Sequence, residues 1–84
     1  MNRNEVKNLF RDILVSTLER NDVDMDDSVW TKEVDGWNSL SNVVIIAELE
    51  KAFHIKFRLK DFKRMDKIGT IIDLIMEKLN QASV

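Results

Sequence analysis

"GWNSLSNVVIIAELEKAFHIKF", residues 36–57, joins a helix start to a long apolar run. The apolar residues that follow Ser39 recur at helical spacing and predict a helix from Ser39 to about Phe53. A serine directly before such a run is typically an N-cap, because its oxygen accepts an unpaired backbone N–H. The run VVIIA is broad, so either the buried arc is wide or part of it contacts a partner or a ligand. We expect the buried residues to come from Leu40, Val43, Val44, Ile46, Ala47, Leu49 and Phe53.

Another amphipathic helix is predicted before this stretch, and a polar loop joins the two. Apolar residues recur at helical spacing from about Asn4 to Glu19, and we expect this stripe to lie in the core. Residues 20–37 are too rich in aspartate to continue the pattern and too long for a minimal turn. Their apolar residues predict an ordered loop that packs against the helices. The helix stripe consists of Val6, Leu9, Phe10, Ile13, Leu14 and Leu18, and the loop residues are Val23, Met25, Val29, Trp30 and Val34.

Two further helices are predicted after the opening stretch. One is a short helix or turn around residues 60–64, and the last helix runs from about Thr70 to Asn80. Gly69 or Thr70 supplies its start, and Asp73 stands where a capping box has its acidic partner. The residues expected to face the core are Leu59, Phe62 and Met65 near the short helix, and Ile71, Ile72, Ile75 and Leu79 in the last helix.

The composition allows one small hydrophobic core. With 84 residues and 44% hydrophobic content, folding buries roughly 60% of the surface of the unfolded chain. Together with the helical pattern, this predicts an all-α fold, a small bundle of three main helices plus one short helix, in a single domain of residues 1–84. The absence of cysteine excludes disulfides and cysteine-based metal sites. No apolar leader segment or membrane-length run occurs, so we expect a soluble, cytoplasmic protein without membrane association. The small size of the bundle and its scattered surface charge predict a monomer.

Charge is distributed unevenly along the chain. The formal net charge is −2, but residues 1–53 carry −5 and residues 54–84 carry +3. We therefore expect the two halves to attract different surfaces. Asp61 and Asp66 interrupt the basic stretch of residues 56–67, which argues against nucleic-acid binding.

The sequence contains few groups that could carry catalysis. His54 is the only histidine, and a histidine just past a helix end is typically a solvated residue near the negative end of the helix dipole. Gly36 and Gly69 are the only glycines and lie far apart, which excludes a glycine-rich phosphate loop. We therefore expect a non-catalytic protein.

A calcium loop is one alternative for the polar segment. Residues 22–33, DVDMDDSVWTKE, place Asp22, Asp24, Asp26 and Glu33 at the ligand spacing of an EF-hand. However, the sixth position is aspartate rather than glycine, the ninth is tryptophan, and no helical pattern follows. We favour a solvated acidic loop and predict no metal site.

The segment of residues 36–57 resembles the acyl carrier proteins, whose attachment motif is Asp-Ser-Leu followed by a helix with a Leu-Glu-x-x-Phe-x-Ile-like end. Ser39 and Leu40 open the matching segment here, and LEKAF with Ile55 and Phe57 closes it in register. Residues 66–75, DKIGTIIDLI, resemble the family's entry to its last helix. The resemblance covers most of the chain and implies the fold already predicted.

The resemblance also implies a cofactor and partners. A phosphopantetheinyl transferase would move 4′-phosphopantetheine from coenzyme A, with Mg²⁺, onto the hydroxyl of Ser39. The arm would carry acyl groups as thioesters between acyl-activating or acyl-transferring enzymes, with a ketosynthase as a further possible partner. Such carriers serve fatty acid, polyketide and other specialised lipid or secondary-metabolite pathways. Residues implied in partner recognition are Asp35, Asn38, Leu40, Glu48 and Glu50. An acyl pocket would be lined by Val43, Ala47, Phe62 and Ile68, although core packing is the favoured interpretation of these four.

This chain departs from the family pattern at several positions. Asn38 replaces the usual aspartate before the serine, and Ser41 stands where many carriers have an acid. The short helix is basic rather than acidic. Dedicated partners are therefore a better expectation than general fatty-acid synthesis. An unmodified helical adaptor, which binds proteins without a cofactor, remains the main alternative.

Overall fold

The computed structural model describes residues 1–82 and consists of three long helices and two short 3₁₀ helices. Helix α1 spans Arg3–Leu18, α2 spans Ser39–Phe53 and α3 spans Ile68–Ala82. The first 3₁₀ helix, Thr31–Glu33, lies inside the long loop, and the second, Leu59–Arg64, precedes α3. The predicted all-α bundle of three main helices plus a short one is confirmed, and Thr31–Glu33 is an addition to it. Residues 83 and 84 of the predicted single domain lie outside the described residues.

Helix α1 is the central element, because it packs against both α2 and α3. Its inward face consists of Val6, Phe10 and Leu14, which are fully buried. Asn2 and Glu5 form a capping box at its start. The predicted amphipathic stripe of α1 is confirmed.

None of the helices within residues 1–82 is long and apolar enough to cross a membrane.

Helix α2 has apolar residues on two sides, and only one side faces the core. Ile45, Leu49 and Phe53 are buried at a spacing of four residues. In contrast, Leu40 is 80% exposed and Val43 is 66% exposed. Of the residues from which the buried set was expected, Leu49 and Phe53 are buried as predicted, whereas the outer side, which comprises Leu40, Val43, Val44 and Ala47, is exposed. Ile45, which was not in the expected set, is buried instead.

The long loop is ordered and fastened to the start of α3. Ile68 donates its N–H to the carbonyl of Val29 at 2.9 Å, and Gly69 donates to the carbonyl of Asp27 at 3.0 Å. These bonds satisfy N–H groups that a helix start leaves unpaired. Helix α3 therefore begins at Ile68, earlier than the predicted Gly69 or Thr70. Thr70 still contributes, because its hydroxyl accepts the N–H of residue 67 at 3.1 Å.

Asp73 has a different role from the capping role predicted for it. Its carboxylate pairs with the guanidinium of Arg3, which also binds Asp27 at 2.8 Å. Lys7 contacts the same Asp27 carboxylate at 3.3 Å. These pairs connect the start of α1 to the loop and to the first turns of α3.

The second 3₁₀ helix presents its apolar residues to solvent and its acidic residue to the protein. Leu59 is 86% exposed and Phe62 is 43% exposed, so their expected orientation toward the core is wrong. Asp61 is buried instead, where it accepts the N–H of Arg58 at 2.7 Å. Met65 packs against the core as predicted.

Candidate functional site

Asn38, rather than Ser39, caps the start of α2. Asn38 has an extended backbone, with φ −127° and ψ −173°. Its side-chain oxygen accepts the N–H groups of Leu40 and Ser41, both at 3.0 Å. The predicted N-cap role of Ser39 is wrong because Ser39 is already the first helical residue.

Ser41 completes the cap from the helix side. Its hydroxyl oxygen accepts the N–H of Asn38 at 2.9 Å, which makes a reciprocal capping box. The same hydroxyl donates to the carbonyl of Gly36 at 2.7 Å. Gly36 has φ +87°, a left-handed conformation that favours glycine. The turn before α2 is thus fixed by contacts with the first turn of the helix.

Trp37 anchors this turn to the core. Its indole N–H donates to the side-chain oxygen of Asn42 at 2.9 Å. The indole also meets the ring of Phe10 edge to face, with ring centroids 6.2 Å apart and planes at 88°. Aromatic pairs favour this arrangement, so Trp37 holds the start of α2 against α1.

Ser39 is exposed in this hydrogen-bonded turn. Asn38 and Ser41 satisfy the cap, and the Ser39 hydroxyl has no hydrogen-bond partner among residues 1–82. The N-terminus of a helix carries a partial positive charge. The first turn of α2 contains no acidic residue. A substituent on this hydroxyl would therefore displace no hydrogen bond formed within residues 1–82.

The predicted partner-recognition residues divide into exposed and engaged side chains. Leu40 and Glu48 are exposed on α2, and Asp35 is exposed with one ion-pair contact of 3.6 Å to Arg20. Asn38 is occupied as the cap. Glu50 accepts the N–H of residue 57 at 2.8 Å and so fastens the chain that leaves α2.

The four predicted pocket residues lie in different environments. Val43, Ala47 and Phe62 are exposed, so the core packing favoured for them is wrong. Ile68 is fully buried and belongs to the core. Ala47 lines an open cleft of about 450 Å³ near the end of α2. A shared acyl pocket for these residues stays a prediction.

The acidic loop uses its carboxylates in local contacts. Asp22 binds Arg20 at 3.2 Å, and Asp24 accepts the N–H of Asp26 at 3.0 Å. The hydroxyl and the N–H of Ser28 donate to Asp26, which lowers the pKa of that carboxyl. Within the part of the chain that the structure describes, no three His, Cys, Asp or Glu side chains gather to hold a metal ion. The geometry gives the calcium-loop alternative no support.

His54 ends α2 in a left-handed conformation, with φ 57° and ψ 46°. Its side chain is exposed. This placement agrees with the predicted solvated histidine beyond a helix end.

Comparison with solved structures identifies the same arrangement of helices. A solution NMR structure of the holo acyl carrier protein from Geobacter metallireducens matches with a TM-score of 0.85. The match covers 93% of this chain and 90% of that chain, at 23% sequence identity. The chain has the acyl carrier protein fold. No family model matches the sequence, and no curated protein matches it.

Sequence reasoning missed three residues that position Ser39, namely Gly36, Trp37 and Ser41. Asn38 is a residue type that favours N-caps, but Ser41 stands where the capping-box signature has Glu or Gln, so the signal for this cap in the sequence was weak. The inward role of Trp37 had no local signal, because its partner Phe10 lies on another helix.

Proposed function

We propose that this protein is an acyl carrier with 4′-phosphopantetheine attached to Ser39. One observation carries the proposal: Ser39 offers an exposed, unengaged hydroxyl at the start of α2, in the fold of a holo acyl carrier protein. The chain has no cysteine, so the thiol needed for a thioester would come from the cofactor. Carriage on such an arm raises the effective concentration of an acyl group at each partner enzyme.

The attachment chemistry needs little from the chain itself. Ser39 Oγ forms the new phosphodiester bond to phosphorus, the pyrophosphate bond of coenzyme A breaks, and adenosine 3′,5′-bisphosphate leaves. The serine proton passes to a base on the transferase, since Ser39 has no base as hydrogen-bond partner among the described residues. The role of the chain is to hold Ser39 in a fixed and accessible turn through the Asn38–Ser41 capping box.

The surface around Ser39 suggests where partner enzymes dock. Leu40 directly follows the serine and is 80% exposed, and Val43 and Val44 continue its side of α2. We propose that this apolar stripe, with Glu48 at its far end, contacts the transferase and the acyl-activating or acyl-transferring enzymes. A specialised lipid or secondary-metabolite pathway, a possible ketosynthase partner and a cytoplasmic location stay predictions.

Intact-mass spectrometry tests the attachment. The purified chain is incubated with coenzyme A, Mg²⁺ and a broad-specificity transferase that is shown to modify another carrier in the same buffer. We expect one phosphopantetheine-sized addition, absent in Ser39→Ala and retained in Ser28→Ala, a matched control with another exposed serine. An unchanged mass in the presence of the active transferase would refute the proposal.

An unmodified helical adaptor is the second candidate. The exposed apolar stripe of α2 favours it, because such a surface suits a protein partner with or without a cofactor. The two candidates differ in the mass experiment. Under the adaptor function, the chain stays unmodified and Ser39→Ala retains partner binding, whereas Leu40→Ser loses it.

A further inference from the structure

The chain that follows α2 forms one wall of a positively charged cleft. The cleft has a volume of about 510 Å³ and lies between this segment and the C-terminal half of α3. Its lining includes five basic side chains and two carboxylates. The charged residues are Lys56, Arg58, Lys60, Asp61, Arg64, Glu77 and Lys78.

Both carboxylates of the cleft are already neutralised. Asp61 binds Lys78 at 2.8 Å, and the carboxylate of Glu77 accepts hydrogen bonds from both terminal guanidinium nitrogens of Arg64. The N–H of Arg58 and the ammonium of Lys78 hold the pKa of Asp61 below its ordinary value. The bond to Arg64 likewise lowers the pKa of Glu77. Each of these carboxylates is therefore balanced by a cation of the same cleft.

Three further cations line the cleft. Lys56, Arg58 and Lys60 are exposed, and none of them forms an ion pair with residues 1–82. They lie within five consecutive residues, so their potentials add. This segment accounts for the net +3 of residues 54–84, in contrast to the −5 of residues 1–53.

Two exposed apolar side chains neighbour these cations in the sequence, although they do not line the cleft itself. Leu59 lies between Arg58 and Lys60 in the sequence and is 86% exposed, and Phe62 is 43% exposed. We use the term cationic surface for Lys56, Arg58, Leu59, Lys60 and Phe62. The buried pair of Asp61 fastens this surface to α3, so it is held in place before any partner arrives.

We propose that the cationic surface binds a partner protein whose own surface presents carboxylates around an apolar pocket. Carboxylates complement the three unpaired cations, and an apolar pocket would cover Leu59. A small anion could neutralise the cations but would leave Leu59 exposed. A bilayer is less favoured, because a six-residue helix with two exposed apolar side chains offers little area for insertion. The inference does not depend on modification of Ser39.

A designed peptide provides the test. The probe is a helical peptide of repeating Glu and Leu, and the control peptide carries Lys in place of every Glu. Each is titrated into the full, isotope-labelled chain while backbone amide shifts are recorded by NMR. We expect saturable shifts centred on residues 56–62 with the Glu peptide and none there with the Lys peptide.

Two variants separate charge from apolar contact. The double variant Lys56→Glu/Lys60→Glu should weaken peptide binding about tenfold or more, since it reverses two of three complementary charges. Leu59→Ser leaves the charge unchanged and should weaken binding about threefold or more, as expected for an apolar side chain that the Leu residues of the peptide cover. The charge-matched control Arg11→Glu/Lys32→Glu, at exposed positions outside the surface, should bind at nearly the unaltered affinity.

Several results would overturn the inference. These are the absence of shifts at residues 56–62, equal binding by Leu59→Ser, or tighter binding to vesicles of anionic phospholipid than to the peptide. Self-association abolished by Lys56→Glu/Lys60→Glu, measured by sedimentation without peptide, would assign the surface to a second copy of the chain instead. A negative mass experiment at Ser39 affects none of these readouts, so the two proposals fail separately.

Discussion

Asp61 and Lys78 form a 2.8 Å ion pair whose side chains are only 7% and 14% exposed. Asp61 belongs to the second 3₁₀ helix and Lys78 to α3, so the pair joins two elements across the edge of the core. Asp61 also accepts the N–H of Arg58, which fixes the start of the short helix. The ammonium of Lys78 lies 5.8 Å from the centre of the Phe57 ring.

Breaking this pair should destabilise the fold. Asp61→Asn keeps an oxygen for the N–H of Arg58 but leaves the Lys78 ammonium without its counter-charge, so the free energy of unfolding should fall by about 1.5–3 kcal/mol, as for a hydrogen bond to a charged group. Lys78→Met should have a similar effect, and the double variant should lose less than the sum of the two. Urea unfolding measures all three. Variants within about 0.5 kcal/mol of the original chain would contradict this prediction.

The lowered pKa values of Asp27 and Asp61 predict that the fold loses stability in acid. The guanidinium of Arg3 and the ammonium of Lys7 lower the pKa of Asp27 in the folded chain, and the pKa of Asp61 is lowered as well. The unfolded chain therefore takes up protons first, at its ordinary carboxyl pKa of about 4. The stability from these groups is complete above that pH and is lost as the pH falls through the lower folded values.

Urea unfolding at a series of pH values checks this dependence. The free energy of unfolding should change little between about pH 7 and pH 5 and fall below about pH 4. Asp61→Asn removes one of the responsible groups, so its curve should fall less steeply. A slope equal to that of the original chain would exclude Asp61 as a source of the acid sensitivity.

Apolar periodicity predicted the three long helices closely, because each helix buries one regular face. The predicted bounds of α2 match the observed Ser39–Phe53, and the observed α1 begins and ends one residue earlier than predicted. Periodicity could not identify the buried face of α2, since both of its sides are apolar. Tertiary packing against α1 selects Ile45 and leaves Leu40 exposed.

The candidate site was only partly predictable. The resemblance pointed to Ser39, but serine and asparagine are both good N-caps, so residue type could not decide between Asn38 and Ser39. The extended backbone of Asn38 decides it. The inward position of Asp61 was also beyond local reasoning, because aspartate is ordinarily exposed and Lys78 lies on a different helix.

Gly69→Ala should lower stability despite the helical preference of alanine. A Cβ at Gly69 would lie 2.7 Å from Cβ of Asp27 and 2.8 Å from its carbonyl oxygen, so the backbone of the loop would have to move. We expect a loss of about 1–3 kcal/mol in urea unfolding. Asn8→Ala, at an exposed position of α1, is the control and should be neutral or slightly stabilising. Equal stability of the two variants would show that the loop at Asp27 can shift to accommodate the Cβ at little cost in free energy.

Ser39 and Ser41 should respond differently to alanine. Ser41→Ala removes the bonds to Asn38 and Gly36, so the free energy of unfolding should fall by about 1 kcal/mol. Ser39→Ala removes an unengaged hydroxyl and should stay within about 0.5 kcal/mol of the original chain. The reverse order of effects would mean that Ser39 is the structural residue of the turn.

Asn38→Asp should strengthen the start of α2. The carboxylate keeps an oxygen for the N–H groups of Leu40 and Ser41 and adds a negative charge at the positive end of the helix, worth about 0.3–1 kcal/mol. Asn38→Ala should instead lose about 1 kcal/mol. Urea unfolding ranks the three chains, and the gain of Asn38→Asp should shrink in high salt, which screens the dipole. The initial rate of phosphopantetheine transfer, measured by intact mass, then shows whether the charge also serves the transferase. A faster rate at unchanged stability would place the charge in the enzyme complex, whereas higher stability at an unchanged rate would confine it to the helix.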